Sequence, residues 1–163
     1  MFRNPRVTFG GFAALGVVWC VVLGGRFSLE AQRRVCDVKI TSPVPGAQVS
    51  SQGRVRGTAT IPAGTFLWVL AHLKDLVAEW WPQGGRPAVI EPDKTWVIVA
   101  GYGQPIDIRE DFEVSAVVVD ANTNRDLQAW FTGAQRTNSY PPIAFPTAVG
   151  GCVPVKITVK KTS

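Results

Sequence analysis

The sequence predicts a single all-β domain, an antiparallel β-sandwich, carried behind one apolar N-terminal segment that crosses a membrane. Three observations lead there. The 163 residues include 16 Gly and 12 Pro with only 18% charged side chains, which favours many turns and few long helices over a disordered chain. Seven short runs rich in Val, Ile, Thr and aromatic residues follow one another from residue 37 onward, with turn signals between them. Ahead of them, 7–25 is a stretch of 19 residues without a charge. A chain of this length has room for one core and a short appendage, not for two domains with a cleft between them.

Residues 1–6 form a short tail carrying Arg3 and Arg6. As a helix, 7–25 spans roughly 28 Å, close to the roughly 30 Å hydrocarbon core of a bilayer. A cleaved secretory signal shares this outline, a basic start followed by an apolar run. No A-x-A site precedes Arg26, however, and Trp19 is too large for the small residue that a lipobox needs before Cys20. An uncleaved transmembrane helix is therefore expected. Gly10, Ala13, Ala14 and Val17 lie along one side of it and permit close packing against another membrane helix. Residues 26–35 read as a basic juxtamembrane linker, with Arg26, Arg33 and Arg34 positioned for lipid headgroups.

The formal net charge of +5 is concentrated there. Residues 1–36 hold five Arg and one Glu, whereas 37–163 hold 12 Lys or Arg against 11 Asp or Glu. A nucleic-acid binder needs a basic stripe on its folded domain, so the expected partners are membrane lipids and an integral membrane protein complex, not nucleic acid.

The domain, 36–163, is built from short strands. Asp37-Val-Lys-Ile-Thr alternates and is stopped by Ser42-Pro-Val-Pro-Gly46. In 54–61, Val55, Gly57, Ala59 and Ile61 share one face and Arg54, Arg56, Thr58 and Thr60 the other, as in a half-buried strand. The run 65–73 is apolar on both faces and suits a central strand covered on its outside by a further layer or a partner. A strand over 77–81 ends at Pro82-Gln-Gly-Gly85, and strands over 95–100, 112–119 and 153–159 complete the set. The Asn122-Thr-Asn124 stretch reads as a loop, followed by a single helical turn over 126–131. The proline-bearing segment 137–151 is expected to lie irregularly over a sheet.

Val38-Lys-Ile-Thr-Ser-Pro-Val-Pro-Gly-Ala-Gln-Val49, followed by Gly53-Arg-Val-Arg-Gly-Thr-Ala59, resembles the opening of bacterial immunoglobulin-like modules, and Phe66-Leu-Trp-Val-Leu70 is similar to their buried Trp strand. The likeness covers about residues 37–120 in character. It implies an immunoglobulin-like antiparallel β-sandwich of an exported or envelope protein, acting as a spacer, adhesive module or subunit-binding domain. The sequence departs from antibody domains in lacking the Cys pair of the second and sixth strands.

Cys36 and Cys152 instead precede the first and last strands, whose patterns Val38-Lys-Ile-Thr41 and Val155-Lys-Ile-Thr158 match. If those strands are neighbours, the two can form a disulfide; two free thiols in a reducing compartment are the alternative. The Lys/Arg count about the membrane helix slightly favours a cytoplasmic domain. The cysteines and the exported-type resemblance favour the bacterial inner membrane with the C-terminal domain in the periplasm or exterior, and this is the expected topology.

Catalytic chemistry has little to draw on. His72 is the single histidine, and G-x-S-x-G, H-E-x-x-H and C-x-x-C are missing. No catalytic residue, metal ligand or cofactor is assigned. Asp107, Glu110, Asp111 and Glu113 read as a solvated acidic loop. Residues 120–131 imitate a calcium loop through Asp120, Asn122, Asn124 and Asp126, but Arg125 replaces its Gly and Phe131 its bidentate Glu. The aromatic pairs Trp80-Trp81 and Trp130-Phe131 are the candidate contact residues: Trp80 and Trp81, adjacent in a strand, point to opposite faces so that one can meet a partner, and Trp130-Phe131 form a second aromatic pair. The expectation is a non-enzymatic accessory subunit of a larger membrane complex, such as a photosynthetic or respiratory assembly. A membrane-anchored carbohydrate- or cell-envelope-binding module is the alternative.

Overall fold

The computed structural model describes residues 35–163. The expected membrane helix 7–25 with Gly10, Ala13, Ala14 and Val17, and the linker arginines Arg26, Arg33 and Arg34, lie outside the described residues. Among the described residues no helix is long and apolar enough to cross a membrane.

Among the described residues, eight strands form two sheets. β1 (Asp37–Ser42), β3 (Gln52–Thr60) and β6 (Thr95–Gly101) make a three-stranded sheet in the order β1-β3-β6. The larger sheet runs β2-β8-β7-β4-β5, built from β2 (Gln48–Val49), β4 (Phe66–Leu73), β5 (Trp81–Pro82), β7 (Asp111–Val119) and β8 (Val155–Lys161). All pairings are antiparallel except β2 with β8. The architecture is a β-rich sandwich with one helix, α1 (Ala121–Thr137), so all-β holds only in its coarser sense.

Strand alternation sets the core between the sheets. Val55 and Ala59 of β3, Trp96, Ile98 and Ala100 of β6, Leu67, Val69 and Ala71 of β4, and Val114, Ala116 and Val118 of β7 meet in one buried cluster. Each Leu or Val so enclosed contributes about 1.5–3 kcal/mol relative to solvent. Close contact across β3 and β6 demands Gly57: a Cβ there would collide with the Lys39 carbonyl oxygen and the ring of Trp96.

The other face of β4 explains why 65–73 is apolar throughout. Trp68 and Leu70 with Val117 and Val119 of β7 form a second cluster, covered by Leu127 and Phe131 of α1 and by Ile143, Phe145 and Ala148 of the proline-bearing connection. That connection thus lies over the sheet, as its sequence suggests, and Val149 N donates to the Val118 carbonyl.

Four sequence expectations require correction. The 122–124 segment is not a loop and the helix is not one turn. α1 runs 17 residues, started by the Asp120 carboxylate accepting from Thr123 N at 2.8 Å and ended by Asn138 in the left-handed region. Asn and Thr favour turns when exposed, but Asn124 faces the sheet and accepts from Trp68 Nε1 at 2.9 Å. Residues 77–79 are not a strand either: successive turns, with Leu76 N on the Leu73 carbonyl and Glu79 N on the Leu76 carbonyl, fold them outward until Trp80 bridges to Ile143 and β5 begins at Trp81. The last strand starts at Val155, after Pro154. Finally, β1 and β8 are not sheet neighbours; they belong to opposite sheets.

The disulfide forms nevertheless. Cys36 and Cys152 are bonded with Cα atoms 5.3 Å apart, so the link joins the two sheets at one end rather than two adjacent strands.

Candidate functional site

Trp80 and Trp81 point to opposite sides, and the structure decides which points inward. Trp80 is 2% exposed. Its backbone pairs with Ile143 in both directions, at 2.9 and 2.8 Å, and its indole lies on the His72 imidazole with ring centroids 3.7 Å apart. Phe145 meets it edge-on at 4.7 Å and the Lys156 ammonium sits 4.8 Å above it. Trp80 is a core residue, not a contact residue.

Trp81 opens instead onto a groove of about 750 Å³, where Trp130, Phe131 and Tyr140 complete an aromatic lining. Two chain segments far apart in sequence meet there. Pairing of β5 with the edge of β4 positions Trp81, and α1 presents Trp130 and Phe131. The segment 140–141 ties the two: Trp81 Nε1 donates to the Tyr140 carbonyl at 2.9 Å, and Trp130 Nε1 to the Pro141 carbonyl at 3.1 Å. Trp130 packs edge-on against Phe131 at 4.8 Å and against Tyr140 at 6.0 Å. With both indole N–H groups satisfied internally, the rings offer apolar surface on a framework fixed before any ligand arrives.

The polar lining is held just as firmly. The Gln83 carboxamide donates to the Trp81 carbonyl and accepts from Gly101 N, both at 2.8 Å. Asp107 ends a short 3₁₀ turn, Pro105–Asp107, and its carboxylate accepts from Gln104 N at 2.6 Å. The Gln104 carbonyl in turn accepts from the ammonium of Lys161, a fully buried side chain. These groups are committed to the fold, and the rings carry most of the free recognition surface. Tyr140 was not among the sequence candidates; an aromatic residue placed directly before Pro141-Pro142 was the signal available.

His72 is 3% exposed. Its Nδ1 lies 3.0 Å from the Leu76 carbonyl, which can only accept, so Nδ1 carries the proton of that bond. Nε2 is 3.5 Å from Glu113 Oε1 without a hydrogen bond. Glu113 pairs with Lys156 at 2.8 Å and Asp111 with Lys160 at 3.1 Å, so these two acidic residues belong to β7 and are ion-paired to β8 instead of lying in a loop. The calcium-loop imitation is helix from residue 121 onward, and its oxygens fan around α1 instead of converging. Among the described residues, no three His, Cys, Asp or Glu side chains stand close enough to hold a metal.

No protein-family model matches this chain, and no curated protein matches it either. Fold and groove together describe a β-sandwich-like protein with a preformed aromatic recess at one sheet edge.

Proposed function

We propose that this chain is a non-enzymatic, single-pass membrane protein whose immunoglobulin-like domain serves as an accessory subunit of a larger membrane complex, binding a protein partner through the Trp81–Trp130–Tyr140 groove. The bacterial inner membrane, with the domain on the periplasmic or outer side, is the location this reading requires. One observation carries it: the rings of Trp81, Trp130, Phe131 and Tyr140 line one recess while the indole N–H groups of Trp81 and Trp130 and the neighbouring Gln83 amide are already bonded within the fold. Such a surface gains from burying apolar side chains, as interface anchors do. A sugar would call for several uncommitted polar groups beside the rings. Gln52 is the side chain that most favours that second reading, because it lines the groove and, among the described residues, its side chain makes no hydrogen bond.

The test is co-purification of the full chain from membranes in mild detergent. Trp81→Ala and Trp130→Ala, made singly and verified as folded by thermal melting, should each release the partner, since truncating a buried aromatic anchor costs about 2 kcal/mol or more. Trp130→Phe should retain more of it. Retention of the partner by both alanine variants would overturn the reading, and saturable binding of glycans by the full chain, lost in Trp81→Ala, would put the carbohydrate module in its place.

A further inference from the structure

The outward face of the three-stranded sheet has a composition unlike the rest of the domain. In the antiparallel pairing of β3 with β6, Arg54 stands opposite Val99 and Arg56 opposite Val97, so two arginines and two valines form a block on the solvent side. Val97 is 52% exposed and Val99 53%. The 86–91 segment, running past β6, adds Arg86 and the exposed Val89, and together these residues line a shallow concavity in which Glu91 is the sole carboxylate. Among the described residues, Arg54, Arg56 and Arg86 make no ion pair, whereas Lys156 and Lys160 on the larger sheet are both paired. Residues 37–163 carry only one excess positive charge, and although Arg109, Arg125 and Arg136 are likewise without an ion pair among the described residues, this concavity gathers three arginines on one face.

We infer that this face docks on the headgroups of an anionic membrane: Arg54, Arg56 and Arg86 meet lipid phosphates while Val97, Val99 and Val89 settle at the headgroup level. Guanidinium groups suit phosphate because they donate two parallel hydrogen bonds, and apolar side chains ringed by cations are the pattern of a surface that lies on a bilayer. Chain length favours this occupant over a soluble acidic partner. In sequence only 26–36 separates the apolar run from the start of β1, the edge strand of this sheet. Eleven residues reach at most about 40 Å when fully extended, so a chain anchored by 7–25 keeps the sheet close to lipid. That last step rests on the anchored reading above; the arginine–valine face does not.

The experiment places the full chain, carrying Cys20→Ser, in vesicles of phosphatidylcholine alone or mixed with phosphatidylglycerol, both containing a headgroup nitroxide. A fluorophore is attached at Val97→Cys or, as reference, at Gln135→Cys on α1. Flotation with the neutral vesicles reports anchoring alone. Docking predicts stronger quenching at 97 than at 135 in the anionic vesicles, loss of the difference in the neutral ones, and a fall in the docked-to-undocked ratio of about fivefold for each of Arg54→Gln, Arg56→Gln and Arg86→Gln. A chain that does not float on neutral vesicles yet binds the anionic ones with this pattern supports docking and removes the anchor. Equal quenching at the two positions, a difference indifferent to lipid charge, protection of position 97 only by a co-purified protein, or failure to bind either vesicle overturns the inference.

Discussion

Gln83 reaches Gly101 across the mouth of the sandwich, its Oε1 2.8 Å from the Gly101 amide, while its Nε2 holds the Trp81 carbonyl. Trp81 belongs to the five-stranded sheet and Gly101 to the three-stranded one. One side chain therefore closes the gap between two sheet edges and fixes the backbone that carries a groove residue.

Gln83→Ala should cost about 1–3 kcal/mol, because it leaves the Gly101 N–H and the Trp81 carbonyl without their partner in a half-buried position. A melting temperature lower by several degrees is expected. Gln83→Glu keeps an acceptor for Gly101 but turns a carboxylate toward the Trp81 carbonyl, and should be no better than the alanine variant. An unchanged melting temperature in Gln83→Ala would show that water replaces the bridge at no cost.

The Cys36–Cys152 bond spans 116 residues of sequence. On the chain-entropy account, a loop of this size stabilises by nearly 5 kcal/mol. Peptide mapping without reductant should recover the linked pair, and Cys36→Ala should lower the melting temperature well beyond the Gln83 variant. Two alkylatable thiols at 36 and 152 in freshly isolated protein would refute the bond, and with it the main argument for an oxidising compartment.

Tyr102 supplies a pH test. Its side chain is fully buried, and burial pushes the phenol from 10.0 up to about 12. Below pH 10 the group is protonated in folded and unfolded chains alike, and its contribution to stability is complete. Between pH 10 and 12 the unfolded chain releases the proton that the native state keeps, so stability falls as pH rises through this window. Urea midpoints measured across it should decline less steeply in Tyr102→Phe. That variant should also be close to neutral at pH 7, because among the described residues the Tyr102 hydroxyl has no hydrogen-bond partner to lose. Identical slopes in the two proteins would contradict this assignment.

Local pattern made several elements legible. Alternation in 54–61 separated Val55 and Ala59 from Arg54 and Arg56, and the core received the first pair while the second stayed in solvent. The two-sided apolar character of 65–73 announced a second covering layer, which α1 and the 137–151 connection provide. Helix α1 itself was obscured because Asn122, Thr123 and Asn124 are turn formers in isolation. The buried positions Asn124, Leu127 and Ala134, with Phe131 between them, show the 3-4-3 spacing of a helix face, and Asp120 with Thr123 forms its cap.

The sequence by itself determined which residues of 54–61 alternate and which segments are apolar, because these depend on side-chain period within a few residues. It also determined that Trp80 and Trp81 face opposite ways. Only the tertiary structure decided that Trp80 goes inward, since the choice is made by His72, Ile143 and Phe145, whose positions no local period encodes. Sheet membership was likewise a tertiary outcome: β1 and β8 share a sequence pattern yet pair with different strands, because hydrogen-bond partners are selected by contacts far apart in the chain. The groove has the same origin. Trp81 and Tyr140 are 59 residues apart, and the hydrogen bond joining them exists only once both sheets and the helix have packed.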